Sequence, residues 1–553
     1  MKKNILKKIA FLPLFALAFG ACDEADFLTR HNPNEATDGT FWLDGTNVED
    51  AVATMYSPMR GQMYGYYGAF DGFLNLVCRG DDVYTVPGEE PAQWQIATYL
   101  NSPDSGGDSW SYLYKGVQRT NAFLEGIAKC PSETASGLSD ARRALLIGEA
   151  KFMRGYYNFL LVTNYGACPL RTTPVKSVED ANAASSSEDA IWEQIVKDLR
   201  DAAEVLPVER NERELGRANK GAALAYLGKS YATLGKYSEA KVELGKLLEA
   251  PFTYDLMENY EDNFLPTHKM NKESVFEIWY DPQFGGGGTW GSEEAGVTQG
   301  MVLPQFITPE ADGGWFKLSP SAAAAREFIK ELRPVGSDTK FDKRMYTTFF
   351  FKYSDFKDTK SDETWFTMDF DKLWKGAING KLGRDPENSY ENFPLLDGVK
   401  LRLLFKKYTN FWMDHAGSAS NYTAENRDND FRIYRFAEVL LLHAESCAKT
   451  GDIAGANADL KRIRQRAGLP DKTWNDQVGL MDEIMHQNFL EFCMEGQRFF
   501  NLKRWYTPEQ MKQVLVNNGK QGAENFGAKH YIYPIPRSEM DTNGVIEQNT
   551  LWK

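Results

Sequence analysis

The chain has 553 residues, enough to bury a large core in one domain or in several. Its 42% apolar and 25% charged residues are ordinary for a globular protein, whereas aromatic residues are frequent at 13%. The formal net charge of −14 argues against a nucleic-acid partner, which needs a basic surface to neutralise phosphates. The abundant aromatic side chains offer stacking surfaces for a different kind of ligand.

The N-terminus has the layout of a bacterial secretory leader. The cationic stretch MKKNILKK precedes IAFLPLFALAF, which is shorter than the roughly 20 apolar residues that cross a bilayer. Cys22 follows small residues in LAFGAC, which is typical of a lipobox, although Phe19 stands where an aliphatic residue is usual. We therefore predict a signal peptide at residues 1–21, lipidation of Cys22 and a tether at 22–40. The alternative is an ordinary secretory signal with an incidental cysteine.

Cysteine and histidine spacings indicate no further chemistry. The five cysteines after Cys22 form no C-x-x-C motif, and we read most of them as small buried apolar residues. The six histidines show no H-E-x-x-H or similar spacing. The sequence therefore predicts neither a metal site nor a cofactor.

Helical periodicity dominates residues 41–250. Ser139 is a predicted N-cap for a long helix in which Phe152 and Tyr156 share one apolar face, and Ser187 precedes another helix. These caps and this spacing predict a mainly helical N-terminal part.

Residues 217–252 carry the clearest repeat signal. Leu224, Leu227, Gly228, Tyr231 and Ala240 lie at the spacings of the tetratricopeptide pattern W-x2-L-G-x2-Y…A, with Leu224 in place of the usual tryptophan. Residues 436–470 form a second, more degenerate unit. Because one helix pair cannot bury its apolar face alone, neighbouring helices must complete a stack.

Residues 251–430 differ from the helical parts on either side. ESVFEIWY, RMYTTFFFKY and LRLLFKKY are predicted short strands between long polar or glycine-rich loops. Such loops in a compact protein are commonly functional or disordered. We assign residues 41–553 to a single domain, with 251–430 as loop-rich insertions and 431–553 as the C-terminal helical part.

The stretch YDPQFGGGGTWGSEEAG, residues 280–296, formally contains G-x-G-x-x-G at Gly286, Gly288 and Gly291. A dinucleotide-binding loop must open a helix whose N-terminus meets the phosphate. Here two acids, two glycines and a proline follow, and there is no G-K-[ST]. We therefore favour a loop that carries Trp290 to another kind of ligand.

Aromatic residues in polar loops are the candidate ligand contacts. Sugar rings stack their C–H faces on aromatic side chains, while their hydroxyls need carboxylate, amide or guanidinium partners. The candidates chosen on this basis are Trp94, Trp290, Trp315, Tyr66, Tyr67 and Asp81. The alternative for each is that it packs a loop or contacts a partner protein.

Glu491 and Glu495 lie one helical turn apart and raise the possibility of catalysis. A glycosidase needs two carboxyl groups roughly 5–10 Å apart across a cleft. However, Arg498 is placed to neutralise Glu495, and Phe489 and Phe492 indicate packing. We read this pair as structural and predict no enzymatic activity.

Motifs in a fixed order along nearly the whole chain carry a family resemblance. They are the lipobox, TDGTFW, EAKFMRGYYNFLLVTNYGACPL, the tetratricopeptide unit, FDKRM, IYRFAEVLLLHAES, RIRQRAGL, FLEFCMEGQRFFNLKRW and YIYPIPRSEM…EQNTLW. With them the chain resembles the SusD/RagB family of outer-membrane nutrient-binding lipoproteins. It departs from the usual pattern at Gln487 and Asn488, where Glu-Arg is frequent, and at Asn501, where an acid is usual. We expect these departures to replace structural salt bridges.

The resemblance implies a mainly α-helical, right-handed scaffold of about four tetratricopeptide-like helix pairs with a loop-rich face and a few short strands. It implies a non-catalytic lipoprotein held in the outer membrane by its lipid anchor, and the acids that follow Cys22 resemble a signal for display on the cell exterior. The implied partner is a SusC-like TonB-dependent transporter, which receives the ligand, usually an oligosaccharide.

Three other functions remain open from the sequence. RagB-type members suggest that the ligand is a peptide, which predicts few exposed stacking tryptophans. A surface glycosidase would release reducing ends from glycans, and a pure interaction scaffold would bind neither glycan nor peptide. We expect glycan binding.

Overall fold

The computed structural model describes residues 38–60, 66–67, 72–85, 91–105, 108–281, 300–309, 314–359, 369–378, 395–396, 399–400, 402–409 and 428–553. The predictions for Cys22 and Trp290 lie outside these ranges. Most described residues are helical and the strands are few and short, as predicted. None of the helices in these ranges is long and apolar enough to span a bilayer.

The N-terminal part consists of helices, several of which begin at side-chain caps. Ser139 Oγ accepts a hydrogen bond from the backbone N–H of Arg142, and Ser187 Oγ accepts one from Ala190, so both predicted caps are confirmed. The helices are α1 Asp38–Phe41, α2 Gly45–Arg60, α3 Leu74–Cys78, α4 Pro91–Ala97, α5 Asp108–Ile127, α6 Asp140–Tyr165, α7 Val178–Ala181, α8 Glu188–Val205, α9 Lys220–Thr233 and α10 Tyr237–Gly245.

The strands pair two by two and antiparallel. They are β1 Val83–Thr85, β2 Ser274–Ile278, β3 Leu318–Pro320, β4 Phe349–Phe350, β5 Leu395–Leu396, β6 Val399–Lys400, β7 Leu404–Phe405 and β8 Phe431–Arg435. The pairs are β1–β3, β2–β8, β4–β7 and β5–β6. Short helices lie between them, namely α11 Leu303–Ile307, α12 Ala322–Phe328, α13 Met345–Thr348 and α14 Phe370–Ile378.

The three predicted strands are therefore present, but RMYTTFFFKY is a strand only at Phe349–Phe350. Its first part is α13, where the Arg344 carbonyl accepts hydrogen bonds from the Thr348 N–H and hydroxyl and so closes a helical turn. Local side-chain bonding of this kind competes with a strand.

The C-terminal part returns to helices. They are α15 Phe436–Lys449, α16 Ile453–Arg466, α17 Gln477–Phe492, α18 Arg498–Trp505, α19 Pro508–Asn517 and α20 Arg537–Thr542. Both predicted tetratricopeptide units are helix pairs, α9 with α10 and α15 with α16, and each pair packs along its length.

The helices form a stack in which each packs on the next. α5 packs on α2 and α6, α8 packs on α6 and α9, and α10 packs directly on α15. The stack therefore continues from the N-terminal to the C-terminal part across the intervening insertions. Most of the buried apolar side chains, from Val48 to Ile546, form one large hydrophobic cluster, and a smaller second cluster lies around Tyr99 and Phe499.

Gly228 shows why the repeat needs small residues. A Cβ atom at Gly228 would lie 2.5 Å from Leu244 Cγ, so α9 and α10 approach too closely for any side chain at this position. Ala240 on α10 is fully buried. The tetratricopeptide spacing thus reports a real helix crossing.

Candidate functional site

Trp94 and Trp315 lie on segments that leave the same end of one strand pair. Thr85 of β1 pairs with Leu318 of β3 in an antiparallel register. The chain after Thr85 and the chain before Leu318 therefore diverge from the same end. Trp94 lies in α4, which packs on β1, and Trp315 lies just before β3. Both tryptophans are partly exposed.

Each of these two tryptophans is held by a short local structure. The Trp94 carbonyl accepts a hydrogen bond from Thr98 Oγ1 at 2.7 Å, which closes the end of α4. The Trp315 N–H donates to the Gln305 carbonyl at 2.6 Å, and its ring lies edge-on to Phe306 with centroids 5.1 Å apart. Trp315 is thus anchored on α11 while part of its ring remains accessible, as a stacking platform requires.

Tyr66 and Tyr67 lie in the wall of a cavity of about 420 Å³ that is also lined by α6, α8, α9 and α18. Tyr66 is fully buried, and its hydroxyl accepts a hydrogen bond from Asn164 Nδ2 at 3.1 Å. Tyr67 is half-buried, with its hydroxyl 2.5 Å from that of Tyr156. Tyr66 is therefore a packing residue, and Tyr67 is a wall residue of the cavity. Further aromatic rings in the wall are Phe159, Trp192, Tyr226, Phe431 and Phe500.

Lys503 brings an amine to this cavity. Its Nζ donates to the Thr163 carbonyl at 3.0 Å. Burial, with the nearby Arg79 guanidinium, lowers the pKa of Lys503 to about 7, although Glu188 opposes this shift. The charge of the cavity wall therefore changes near neutral pH.

Asp81 does not present a carboxylate to solvent. Its side chain is fully buried and accepts hydrogen bonds from Arg498 Nε at 2.6 Å and Nη2 at 3.1 Å and from Asn518 Nδ2 at 2.6 Å. Burial alone would raise the pKa of Asp81, but the charge and hydrogen bonds of Arg498 lower it below its ordinary value. We therefore assign Asp81 a structural role instead of the predicted ligand contact.

The prediction that Arg498 neutralises Glu495 is wrong, because Arg498 pairs with Asp81. Glu495 instead pairs with Lys407 Nζ at 2.6 Å and with Arg435 Nη2 at 2.7 Å. Glu495 therefore has the structural role that we predicted, but its partners are Lys407 and Arg435.

Glu491 lies at the centre of the same buried ion cluster. Arg344 Nη1, Arg435 Nη1 and Arg466 Nη2 lie 2.9, 2.8 and 2.5 Å from its carboxylate oxygens. Burial acts to raise the pKa of Glu491, but the three guanidinium groups outweigh it and lower the pKa. A carboxylate held ionised and enclosed in this way has no access to a glycosidic bond.

The family departures lie side by side in space. Asn501 Nδ2 donates to Asn488 Oδ1 at 2.5 Å, and Asn501 Oδ1 accepts from Arg504 Nη1 at 2.9 Å. Gln487 accepts from Arg344 Nη2 at 2.6 Å. Side-chain amides thus hydrogen-bond to one another and to the guanidinium groups of Arg344 and Arg504 at these positions.

One cluster of metal-ligating side chains escaped the sequence reasoning. His443, Cys447 and Asp459 bring a ring nitrogen, a thiol and a carboxylate oxygen within 4.8 Å of one another. His443 and Cys447 are four residues apart on α15, a spacing that places two side chains on one helical face. The spacing H-x3-C could have identified His443 and Cys447 from the sequence, but it gives no sign of Asp459, which lies in the next helix.

Two family models match the chain. The model described as the SusD family matches residues 272–552, and the model described as starch-binding associating with outer membrane matches residues 87–232. Because the first alone covers more than half of the sequence, the chain belongs to the SusD family.

Individual relatives match over almost the whole chain. SusD-like protein P25 of Formosa agariphila is 23% identical over 524 residues, which cover 92% of this chain and 92% of that protein. A SusD superfamily protein from Bacteroides vulgatus is 26% identical, with a TM-score of 0.75 and coverage of 93% of this chain and 100% of that one. Surface glycan-binding protein A from Bacteroides thetaiotaomicron, solved in complex with laminarihexaose, is 20% identical, with a TM-score of 0.69 and coverage of 91% and 99%.

Proposed function

We propose that the protein binds oligosaccharides at the cell surface and delivers them to a SusC-like TonB-dependent transporter. The observation that carries the proposal is the match over nearly the whole chain to SusD-family structures, among them glycan-binding proteins. Cys22 carries the lipid that holds the protein on the outer face of the outer membrane. Residues 251–430 supply the ligand face of a single domain that spans residues 41–553.

Trp94 and Trp315 form the stacking surface of the proposed site. Both are partly exposed, and both lie on segments that leave the same end of the β1–β3 pair. Two indole rings at one end of a ribbon suit successive rings of a glycan chain, whose C–H faces stack on aromatic surfaces. Trp290 is proposed as a third contact from the loop of residues 280–296.

The proposed role is binding without catalysis. Glu491 and Glu495 are enclosed by Arg344, Arg435 and Lys407 and are not placed across a cleft. A purified binding protein of this kind should leave a glycan panel intact, with no release of reducing ends over hours. Release that depends on one acid would overturn the binding-only role.

Isothermal titration calorimetry against a panel of polysaccharides and oligosaccharides tests the proposal. We expect binding to at least one glycan, and a loss of about 5- to 150-fold in affinity for Trp94→Ala and Trp315→Ala, because stacking on a sugar resembles the 1–3 kcal/mol of base–aromatic stacking. Trp474→Ala is the matched control, since Trp474 is also partly exposed but lies near the end of the segment between α16 and α17. It should leave affinity unchanged.

The panel also separates the alternatives. If peptides gave a binding heat and glycans gave none, the ligand would be a peptide, as in the RagB-type role. Glycan binding that Trp94→Ala, Trp315→Ala and Trp290→Ala all leave unchanged would reject the site and retain the function. A chain that binds nothing in either panel would be a scaffold.

Anchoring is tested in cells. Replacement of Cys22 by Ala should abolish incorporation of labelled fatty acid and shift the protein from the membrane fraction to the soluble fraction. Co-purification of a TonB-dependent transporter with the wild-type protein would support the proposed partnership, and incorporation of labelled fatty acid by the Cys22→Ala variant would contradict lipidation at Cys22.

A further inference from the structure

The hairpin of α15 and α16 brings three different metal-binding donors together. His443 Nδ1 lies 2.6 Å from Asp459 Oδ2, and Cys447 Sγ lies 3.8 Å from each ring nitrogen of His443. Cys447 is fully buried, and the side chain of Asp459 is only 7% exposed. Within the described ranges, this is the one group of three such donors.

We propose that His443, Cys447 and Asp459 bind Zn²⁺. Thiolate, imidazole and carboxylate are the three ligand types that proteins use for zinc, and a mixed set of this kind suits no hard cation such as Ca²⁺ or Mg²⁺. The site lies in the helix stack, away from the β1–β3 pair, and is independent of the proposed glycan-binding function.

The separations fit a metal after a small adjustment. Zinc bonds of about 2.0–2.3 Å in a tetrahedral arrangement place donor atoms roughly 3.2–3.7 Å apart. The sulfur already lies 3.8 Å from the imidazole nitrogens, and the 2.6 Å contact between His443 and Asp459 has to open by less than about 1 Å. Rotation of the side chains on fixed helices is enough for such a change.

The charges also fit. A neutral imidazole, a thiolate and a carboxylate carry two negative charges, which one Zn²⁺ ion balances. Binding forms the Zn–S bond and releases the thiol proton of Cys447 to solvent.

Neighbouring residues leave room for the sulfur and for a fourth ligand. A Cβ atom on Gly455 would lie 2.9 Å from Cys447 Sγ, so glycine is needed beside the sulfur. Asp452 is the next carboxylate, but it accepts hydrogen bonds from Lys241 Nζ at 2.6 Å and from the Gly455 N–H at 2.9 Å. The fourth position is therefore assigned to water, which reaches the site beside the 12% exposed His443 side chain.

Titration with Co²⁺ and Zn²⁺ tests the proposal on protein purified without a polyhistidine tag and stripped with a chelator. Co²⁺ should bind with one equivalent and produce the near-ultraviolet absorption of a sulfur-to-cobalt charge transfer. Zn²⁺ should abolish this band by displacement. A hundredfold excess of Zn²⁺ over its dissociation constant should raise the melting temperature by about 3 °C.

Cys447→Ser should abolish the charge-transfer band, and Asp459→Asn should weaken Zn²⁺ binding by at least about tenfold. His486→Gln is the matched control, because His486 Nδ1 makes a similar 2.5 Å contact with Glu327 outside the cluster, and it should leave metal binding unchanged. No cobalt band in the wild-type chain would overturn the proposal. The proposal would also be overturned if Cys447→Ser left the charge-transfer band unchanged and Asp459→Asn left the zinc affinity unchanged. If a variant has a lower melting temperature than the wild-type chain without metal, its cobalt charge-transfer band is recorded well below that melting temperature, so that the folded variant is tested.

Discussion

Asp81 and Asp82 are adjacent and both buried, yet their surroundings shift their pKa values in opposite directions. Asp82 Oδ2 accepts one hydrogen bond, from the Met494 N–H at 2.9 Å, and its Oδ1 has no hydrogen-bond partner in the described part of the chain. Burial, and to a lesser degree the charge of Asp81, raises the pKa of Asp82 to about 6. Arg498 instead lowers the pKa of Asp81.

The sign and size of the effect on stability follow from linkage. The folded pKa of Asp82 lies above the unfolded value of about 3.9, so its contribution to stability is fully present below about pH 4 and is lost as the pH rises through 6. A shift of about 2 pH units corresponds to about 3 kcal/mol. The stability of Asp82→Asn relative to the unmodified chain should therefore rise by about 2 kcal/mol between about pH 4 and about pH 7, because part of the full difference already develops below pH 4 as the unfolded carboxyl ionises.

Urea unfolding, followed by tryptophan fluorescence at fixed ionic strength from pH 4 to pH 8, measures this difference. Asp81→Asn is the control of opposite sign. Its folded pKa is depressed, so the variant should be less stable at neutral pH, and the deficit should shrink only below about pH 4. A difference between Asp82→Asn and the unmodified chain that stays constant with pH would show that Asp82 ionises normally, and would refute the reasoning.

Three further predictions concern the helix stack and the ion cluster. Gly228→Ala should lower the unfolding free energy by about 1–3 kcal/mol because its Cβ would meet Leu244, and calorimetry should show a smaller loss when the same change is made in a Leu244→Ala background. Glu491→Gln removes a negative charge beside buried guanidinium groups, so it should lower the unfolding free energy by about 3–5 kcal/mol. An unchanged melting temperature would contradict the role of the ion cluster. Asn488→Arg and Asn501→Asp should each destabilise the chain alone, and together they should show a favourable coupling of about 0.5–3 kcal/mol in a double-mutant cycle. Additive effects would mean that the two positions do not form an ion pair.

Much of the helical framework was predictable from the sequence. Ser139 and Ser187 cap the helices that follow them, and Gly228 marks the tight crossing of α9 and α10. These features were accessible because helix caps and helix-pair contacts join residues that are close in sequence. RMYTTFFFKY was harder, since a short apolar run does not distinguish a helical turn from a strand.

The candidate site was predictable only in part. Aromatic residues in polar loops singled out Trp94 and Trp315, but only the pairing of β1 with β3 brings their segments to the same end of one ribbon. Sequence alone did not separate these partly exposed tryptophans from Tyr66, which is buried against Asn164. The burial of a loop residue depends on contacts with segments that are distant in sequence. Loops have no regular spacing of apolar residues from which that burial could be predicted.

The sequence by itself determined the helical class, the repeat and the family, because these depend on local spacing and on motifs in a fixed order. The tertiary structure decided which acid meets which base. Arg498 lies close to Glu495 in sequence but pairs with Asp81, which is 417 positions away. In a buried, poorly screened interior the charges closest in space determine the pairing, and distance along the chain does not set that proximity.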